Sequence, residues 1–295
     1  MDKYLSKKRI ILVFIAPALI LFSVFILYPL LPTIYTSFFE YDGFKVGDFV
    51  GLKNYTSALT DPVFWHAVRN TVKVVAVQTL IGGPISLLLA LLIDQCTEKV
   101  RRYIKVSYFI PTVLNITVIC LMWKMIFQPE WGIVDTVLKK IGMEGMIHTW
   151  LIDEGTAIWC IAIVFVWQYI GYNMILLYSG IRSIPETYIE AAKVEGAGFW
   201  QRCIYITIPL MQEIIKFVLI ISTAGTLGMF AHVQVMTNGG PGDLTRTIIY
   251  QLYYKAYQSQ MFGEANAIAV LFAFLGIGVF VLINKLVARE RIELV

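Results

Sequence analysis

The chain has 295 residues, 58% of them hydrophobic and 15% charged, with 24 Lys+Arg against 20 Asp+Glu and a net charge of +4. Six stretches, 10–39, 74–93, 106–123, 155–181, 217–242 and 265–284, contain no Asp, Glu, Lys or Arg, and a helix needs roughly 17–25 apolar residues to cross a bilayer. This excludes a disordered chain, a membrane β-barrel, whose strands would alternate in polarity, and a soluble nucleic-acid binder, because membrane topology accounts for the small positive surplus. The expected fold is an all-α polytopic membrane protein, a single transmembrane domain over 1–295.

Six helices are predicted, near 10–32, 71–93, 105–127, 157–181, 209–235 and 264–287. The first follows Lys3, Lys7, Lys8 and Arg9. That basic start is shared with signal peptides, but the apolar run is long and no small-x-small site closes it, so it reads as an uncleaved helix. One side of the membrane would hold the four basic residues of the tail, four at 94–105 (Lys99, Arg101, Arg102, Lys105), three at 182–208 (Arg182, Lys193, Arg202) and three at the end (Lys285, Arg289, Arg291). The other side would hold seven, Lys45, Lys53, Arg69, Lys139, Lys140, Arg246 and Lys255. The positive-inside rule then puts both termini in the cytoplasm. Lys73, Lys124 and Lys216 lie near helix ends, where long side chains snorkel.

The outer loops would be 33–70, 128–156 and 236–263. Aromatic residues crowd their boundaries, among them Tyr28, Tyr35, Phe64, Trp65, Trp131 and Trp150, as interfacial belts require. Four cysteines (Cys96, Cys120, Cys160, Cys203) and three histidines (His66, His148, His232) are dispersed. They suggest neither a zinc site nor a disulfide framework.

Polar residues inside spans mark substrate paths by default. The fourth span carries Trp167, Gln168, Tyr169, Tyr172 and Asn173. Gln168 with Tyr172, and Tyr169 with Asn173, are four apart and share a face. The segment 183–200 is too polar to span. Ser183 and Glu186 form a capping-box pattern, Gly196 is a natural stop, and a second short helix is expected from Phe199-Trp200. Ala191 and Ala192 would let another surface approach the backbone, with Glu190 and Glu195 setting orientation; an amphipathic helix lying on the membrane fits the spacing equally well. In the fifth span, Ser222, Gly225, Thr226 and Met229 follow helical spacing in one stripe, and Gly228 would let the helix bend. Small residues at this spacing also serve to pack helices. Glu213 is placed in the first turn of this helix, where the dipole favours a carboxylate.

Glu190-Ala191-Ala192, three residues, Gly196, nine residues, and Ile206-x-Ile208-Pro209 resemble the EAA signature of the membrane subunits of ABC importers that work with solute-binding proteins. Glu195 and Ile208 depart conservatively from the usual Asp and Leu. Phe49-Val50-Gly51-Leu52-Lys53-Asn54-Tyr55, Asp61-Pro62-x-Phe64-Trp65, Asn70-Thr71 and Thr237-Asn238-Gly239-Gly240-Pro241 are similar to segments of the carbohydrate-uptake branch, in particular its first permease subunit. The resemblance implies the type I importer permease fold in a bacterial cytoplasmic membrane. It makes 183–200 the coupling helix, with Glu190, Ala191, Ala192, Glu195 and Gly196 meeting an ATPase. It implies a second permease subunit, two cytoplasmic ATPase subunits, an external solute-binding protein and a sugar substrate. It places Trp167, Tyr169, Tyr172, Ser222, Gly225, Thr226 and Met229 along the sugar's path. The chain contains no Gly-Lys pair, hence no P-loop. No catalytic residue, metal or cofactor is expected in it, and ATP-Mg would be used by the partner. The alternatives are a stand-alone ion-coupled transporter, which would normally carry charges at mid-membrane, and an integral membrane enzyme, for which no cluster of His, Asp or Glu speaks.

Overall fold

The computed structural model describes residues 8–287. Lys3, Lys7, Arg289 and Arg291, on which part of the orientation argument rests, lie outside the described residues. The chain forms two compact units: one takes residues up to Phe64 together with Gln251–Phe274, the other Trp65–Tyr250 and the chain from Leu275.

In the first unit, α1 (Lys8–Phe22), a π-turn (Ser23–Leu27) and α2 (Tyr28–Thr36) follow without interruption. Leu12–Thr36 is long and apolar enough to cross a membrane. A β-hairpin comes next, β1 (Phe39–Tyr41) antiparallel to β2 (Val46–Phe49), with Phe39 opposite Phe49 and Tyr41 opposite Val46. It departs from the all-helical expectation. Its turn is held by Asp42, whose Oδ1 accepts the N–H groups of Phe44 (2.9 Å) and Lys45 (2.7 Å). Those donors, Lys45 foremost, hold the Asp42 carboxyl below its ordinary value. After α3 (Lys53–Thr60), polar ties close the unit. Asn54 Nδ2 donates to the carbonyls of Ser37 and Phe39. Asn266 Nδ2 donates to Thr36 Oγ1 at 2.7 Å. Lys255 Nζ lies 3.2 Å from Asp61 and 2.8 Å from Glu264.

In chain order there follow α4 (Pro62–Val77), a π-turn (Gln78–Gly82), α5 (Gly83–Asp94), α6 (Glu98–Val113), α7 (Ile116–Ile126), α8 (Ile133–Lys140) and α9 (Ala157–Arg182). Beyond these lie α10 (Glu186–Val194), α11 (Phe199–Arg202), a π-turn (Cys203–Thr207), α12 (Ile208–Leu210), α13 (Gln212–Leu227), α14 (Ala231–Met236), α15 (Ile248–Tyr253), a π-turn (Tyr254–Gln258) and α16 (Phe262–Val287). Three of the four π-turns among the described residues end two residues before a proline in the first turn of the next helix: Pro29, Pro84 and Pro209. Proline has no N–H and its ring clashes with the carbonyl four residues back. Those carbonyls belong to Phe25, Leu80 and Tyr205, each at the centre of its π-turn. The wider turn relieves the clash without ending the helix.

Four helices, Leu12–Thr36, Pro62–Asp94, Ala157–Arg182 and Phe262–Lys285, can each cross a membrane by length and composition, or up to six if each of two bent pairs counts as one. Two expectations are corrected here. The continuous helix expected over 105–127 is bent by 97° between α6 and α7. Leu114 turns extended, and Asn115 caps the new helix by accepting the Thr117 N–H at 2.8 Å. The helix expected over 209–235 is bent by 72° between the Phe199–Leu210 stretch and α13, and it ends at Gly228 before α14 begins. Glu213 does sit in the first turn of α13.

The second unit is built around α9, which packs on α5, α6 and α13. Ala90, Ile93, Met174, Leu177, Met211 and Val218 form part of its buried cluster. At Gly171 the helices touch backbone to backbone: a Cβ there would overlap the carbonyl of Tyr108. Thr112 Oγ1 donates to the Gln168 carbonyl at 2.7 Å, and Ser86 Oγ to the Ile170 carbonyl at 3.2 Å. Cys120 and Cys160 are buried as small apolar residues.

Candidate functional site

The segment 183–200 folds as a short helix and a turn, but it starts differently from the expectation. The Ser183 hydroxyl donates to the Gly180 carbonyl at 2.7 Å, closing α9. It is therefore unavailable for a capping box with Glu186, and Pro185 occupies the N-cap of α10 with no side-chain cap bond. The far end matches the expectation. Gly196 has φ +81°, its N–H donates to the Lys193 carbonyl (3.0 Å), and the Ala197 N–H donates to the Ala192 carbonyl (2.9 Å). This pair of bonds is a Schellman motif, and only glycine enters its left-handed position at low cost. The paired alanines, adjacent on the helix, face different surroundings. Ala192 is buried against its own chain, whereas Glu190, Ala191, Val194 and Glu195 are exposed. The α11 helix then starts with Gln201 Oε1 accepting the Gly198 N–H at 2.7 Å. Beside α10, Arg101 closes the end of α5 by donating to the carbonyls of Ile93, Asp94 and Cys96.

A cavity of about 190 Å³ opens among the helices of the second unit. Five of the residues read from the sequence line it: Tyr169, Tyr172, Asn173, Ser222 and Gly225. Three do not. Trp167 stacks edge-on against Trp123, with ring centroids 5.3 Å apart. Thr226 is buried and donates to the Ser222 carbonyl at 2.7 Å. Met229 lies beyond the end of α13, so the expected stripe stops at Gly228; its carbonyl accepts from Thr247 Oγ1. Gln168 hydrogen-bonds His232 Nε2 at 2.8 Å.

Gln78, Thr112, Phe165 and Ile221 complete the wall. Gln78 and Thr112 are polar residues within charge-free runs, so the rule applied to the fourth and fifth spans would have found them in the second and third. Gln78 is 1% exposed, and neither its Nε2 nor its Oε1 has a hydrogen-bond partner; Asn173 is equally buried with its Nδ2 unpaired. Unpaired buried amides cost about 1–3 kcal/mol each. Here they face a space flanked by the aromatic rings of Phe165, Tyr169 and Tyr172. No charged side chain lines the cavity.

Midway along α4, Asn70-Thr71 is joined to the chain just past the 237–241 motif. Asn70 Nδ2 donates to the carbonyls of Leu244 (2.8 Å) and Arg246 (3.0 Å), and Thr71 Oγ1 accepts the Ile248 N–H (3.0 Å). The 237–245 turn is fastened within itself by Thr237 Oγ1 and Thr245 Oγ1 at 2.7 Å and by Tyr250 Oη donating to the Asn238 carbonyl at 2.8 Å.

The profile of a family described as the binding-protein-dependent transport system inner membrane component matches residues 82–292. The chain belongs to that family. Among its relatives is the probable ABC transporter permease protein YurN of Bacillus subtilis, 32% identical over 90% of this chain and 91% of that one. The lactose transport system permease protein LacF of Rhizobium radiobacter is 33% identical over 94% and 93%. In fold, this inner membrane component matches a chain of a bacterial ABC transporter that imports the acidic polysaccharide alginate, with a TM-score of 0.80, 21% identity and 97% of each chain covered.

Proposed function

We propose that this chain is one of two membrane-spanning subunits of an ATP-driven importer for uncharged sugars delivered by a solute-binding protein. In this reading each bent pair counts as one crossing, giving six, with both termini in the cytoplasm of a bacterial cell. The α10 segment, through Glu190, Ala191, Glu195 and the Gly196 turn, seats in a separate ATPase subunit, and Ala192 fastens it to its own chain. Closure of two ATPases on ATP-Mg would then rock the helices between inward- and outward-open arrangements. The sister permease is a different chain, so the pair is a heterodimer.

The observation that carries the reading is the cavity between α6, α9, α13 and the π-turn after α4, with two unpaired amides, tyrosine hydroxyls and aromatic faces but no charge. Amides and hydroxyls match sugar hydroxyls, and ring faces match the apolar faces of pyranoses. A carboxylate or sulfonate brought here would be desolvated with no cation to meet it, at a cost of several kcal/mol. The names of relatives support a sugar: lactose for LacF, arabinooligosaccharides for AraP and starch degradation products for AmyD. The cavity of about 190 Å³ is below the roughly 300–1,000 Å³ of drug-sized sites. It suits one ring, so an oligosaccharide would engage by one residue at a time.

Uptake by membrane vesicles carrying the whole complex tests this. Tyr172→Ala and Gln78→Leu should each lower uptake about tenfold, the effect of losing one or two hydrogen bonds. Copurification of the ATPase and basal ATP hydrolysis should stay unchanged. Unaltered uptake in both variants would remove the cavity from the path.

A further inference from the structure

Helix α8 is inside out. Asp135, its one acid, is 1% exposed, whereas Ile133, Val137 and, one residue past the helix, Ile141 are 62%, 49% and 59% exposed. These three are four residues apart and form a single stripe. The inversion is built in rather than incidental. Asp135 Oδ2 accepts the Glu130 N–H at 2.9 Å and Oδ1 accepts the Trp150 Nε1–H at 2.6 Å, so Asp135 is pinned toward the protein and the stripe is left outside. A helix bathed in water would be turned the other way.

We propose that α8 lies along the membrane surface, its Ile133–Val137–Ile141 stripe sunk into the headgroup–acyl boundary. Three observations favour lipid over a protein partner. The stripe continues an apolar surface: α7, which touches α8, exposes Val118, Leu121 and Met125, and the exposed Trp131 bridges the six-residue connection between them. Second, the connection and the helix supply both kinds of interfacial anchor, a tryptophan at one end and Lys139-Lys140 at the other, with Lys139 Nζ also donating to the Glu130 carbonyl. Aromatic rings and lysines bracketing an apolar stripe are the signature of an interfacial helix, whose apolar face enters the boundary by roughly 5–10 Å. Third, exposed apolar side chains continue past α8, at Met143, Met146 and Ile152, so the exposed apolar residues are not confined to the helix. In effect Asp135 is a locator: it fixes the depth of the loop by deciding which face meets the lipid. That the leaflet is the outer one rests on the orientation proposed above; the contact with lipid does not.

The test uses the whole transporter in nanodiscs. Cys96, the only partly exposed cysteine among the described four, is replaced by serine. An environment-sensitive dye is then placed on Val137→Cys, on Ile141→Cys and, as a water-facing reference, on Glu154→Cys. The expected result is blue-shifted emission at 137 and 141 and quenching by bromine-labelled phosphatidylcholine at least about twofold stronger than at 154. Water-like emission at 137 and 141 would overturn the proposal. So would blue-shifted emission that brominated lipid leaves unquenched, because a protein surface would then cover the stripe. Because the readout is optical, failure of sugar transport in these variants does not bear on it.

Discussion

The first and the fourth apolar helices invert the rule that serves water-soluble proteins. Leu12–Thr36 has a mean hydropathy of 2.4, yet none of its most apolar window is buried; Ala157–Arg182 is less apolar, at 1.8, and 61% of its window is buried. In water the greasier helix would be the core. In a bilayer the apolar solvent rewards greasy surface anywhere, so burial follows what lipid cannot satisfy: Gln168, Asn173, the small Gly171 and the hydroxyl-bonded carbonyls of α9. Interfaces between membrane helices use small and polar residues for this reason.

The sharpest way to break that contrast is a substitution at Gly171. Gly171→Leu drives a side chain into the Tyr108 carbonyl and should cost about 3 kcal/mol or more, read as loss of the monodisperse complex in size-exclusion chromatography. Leu21→Ala on the first helix, which removes most of an apolar side chain at an exposed site, should alter stability by only about 0.5 kcal/mol. Equal losses would abolish the distinction between the two helices. A middle-sized effect is expected from Gln168→Leu, which raises the hydropathy of α9 while leaving His232 without its 2.8 Å partner. The transporter should lose about 1 kcal/mol in a thermal unfolding series; a gain would mean that greasiness, not pairing, sets the stability of this helix.

The smallest effect concerns the polar ties of the unit that contains the first helix. Burial opposes the Lys255 ammonium, but its hydrogen bonds and charge contacts with Glu264 and Asp61 outweigh that, and its pKa is raised. A folded pKa above the unfolded one means the stabilisation is complete below the unfolded value of 10.5 and is lost only as pH climbs through the folded value. The stability gap between the wild type and Lys255→Met should therefore stay flat from neutral pH to near 10 and shrink above it. A gap that already closes near neutral pH would show that the ammonium is not what ties this unit together.

The spans were legible in the sequence where charge-free runs coincide with uninterrupted helix, as over Ala157–Arg182 and Phe262–Val287. The bends were not, because composition does not change across them. Residues 106–123 are charge-free on both sides of Leu114-Asn115, and only Pro111 and the capping Asn115 hint that the chain turns. The start of α10 was misread because Ser183 is a good cap for either helix it lies between, and the sequence does not say which carbonyl or N–H its hydroxyl will reach first. In the cavity, four-residue spacing correctly grouped Tyr169 with Asn173. It grouped Met229 with Ser222 only by assuming a helix that Gly228 ends. Gln78 carries the same signal, a polar residue inside the charge-free run 74–93, but the positions three and four residues away from it are Val74, Val75, Ile81 and Gly82, so no aromatic or polar partner marks its face. Membership of the importer family was the most readable property of all, since the EAA signature keeps its fixed spacing within the single short segment 190–209.

The ties from Asn70 also set an order in time. Its partner Leu244 is made 174 residues later. At about 5–20 residues per second, the ribosome needs on the order of ten to thirty seconds to supply it. Throughout that interval the Asn70 amide is without either of its carbonyl partners. The stitch closes only when the fifth apolar run has been delivered. A chain that stops before residue 244 lacks both carbonyls that Asn70 Nδ2 binds, so this tie belongs only to the finished second unit.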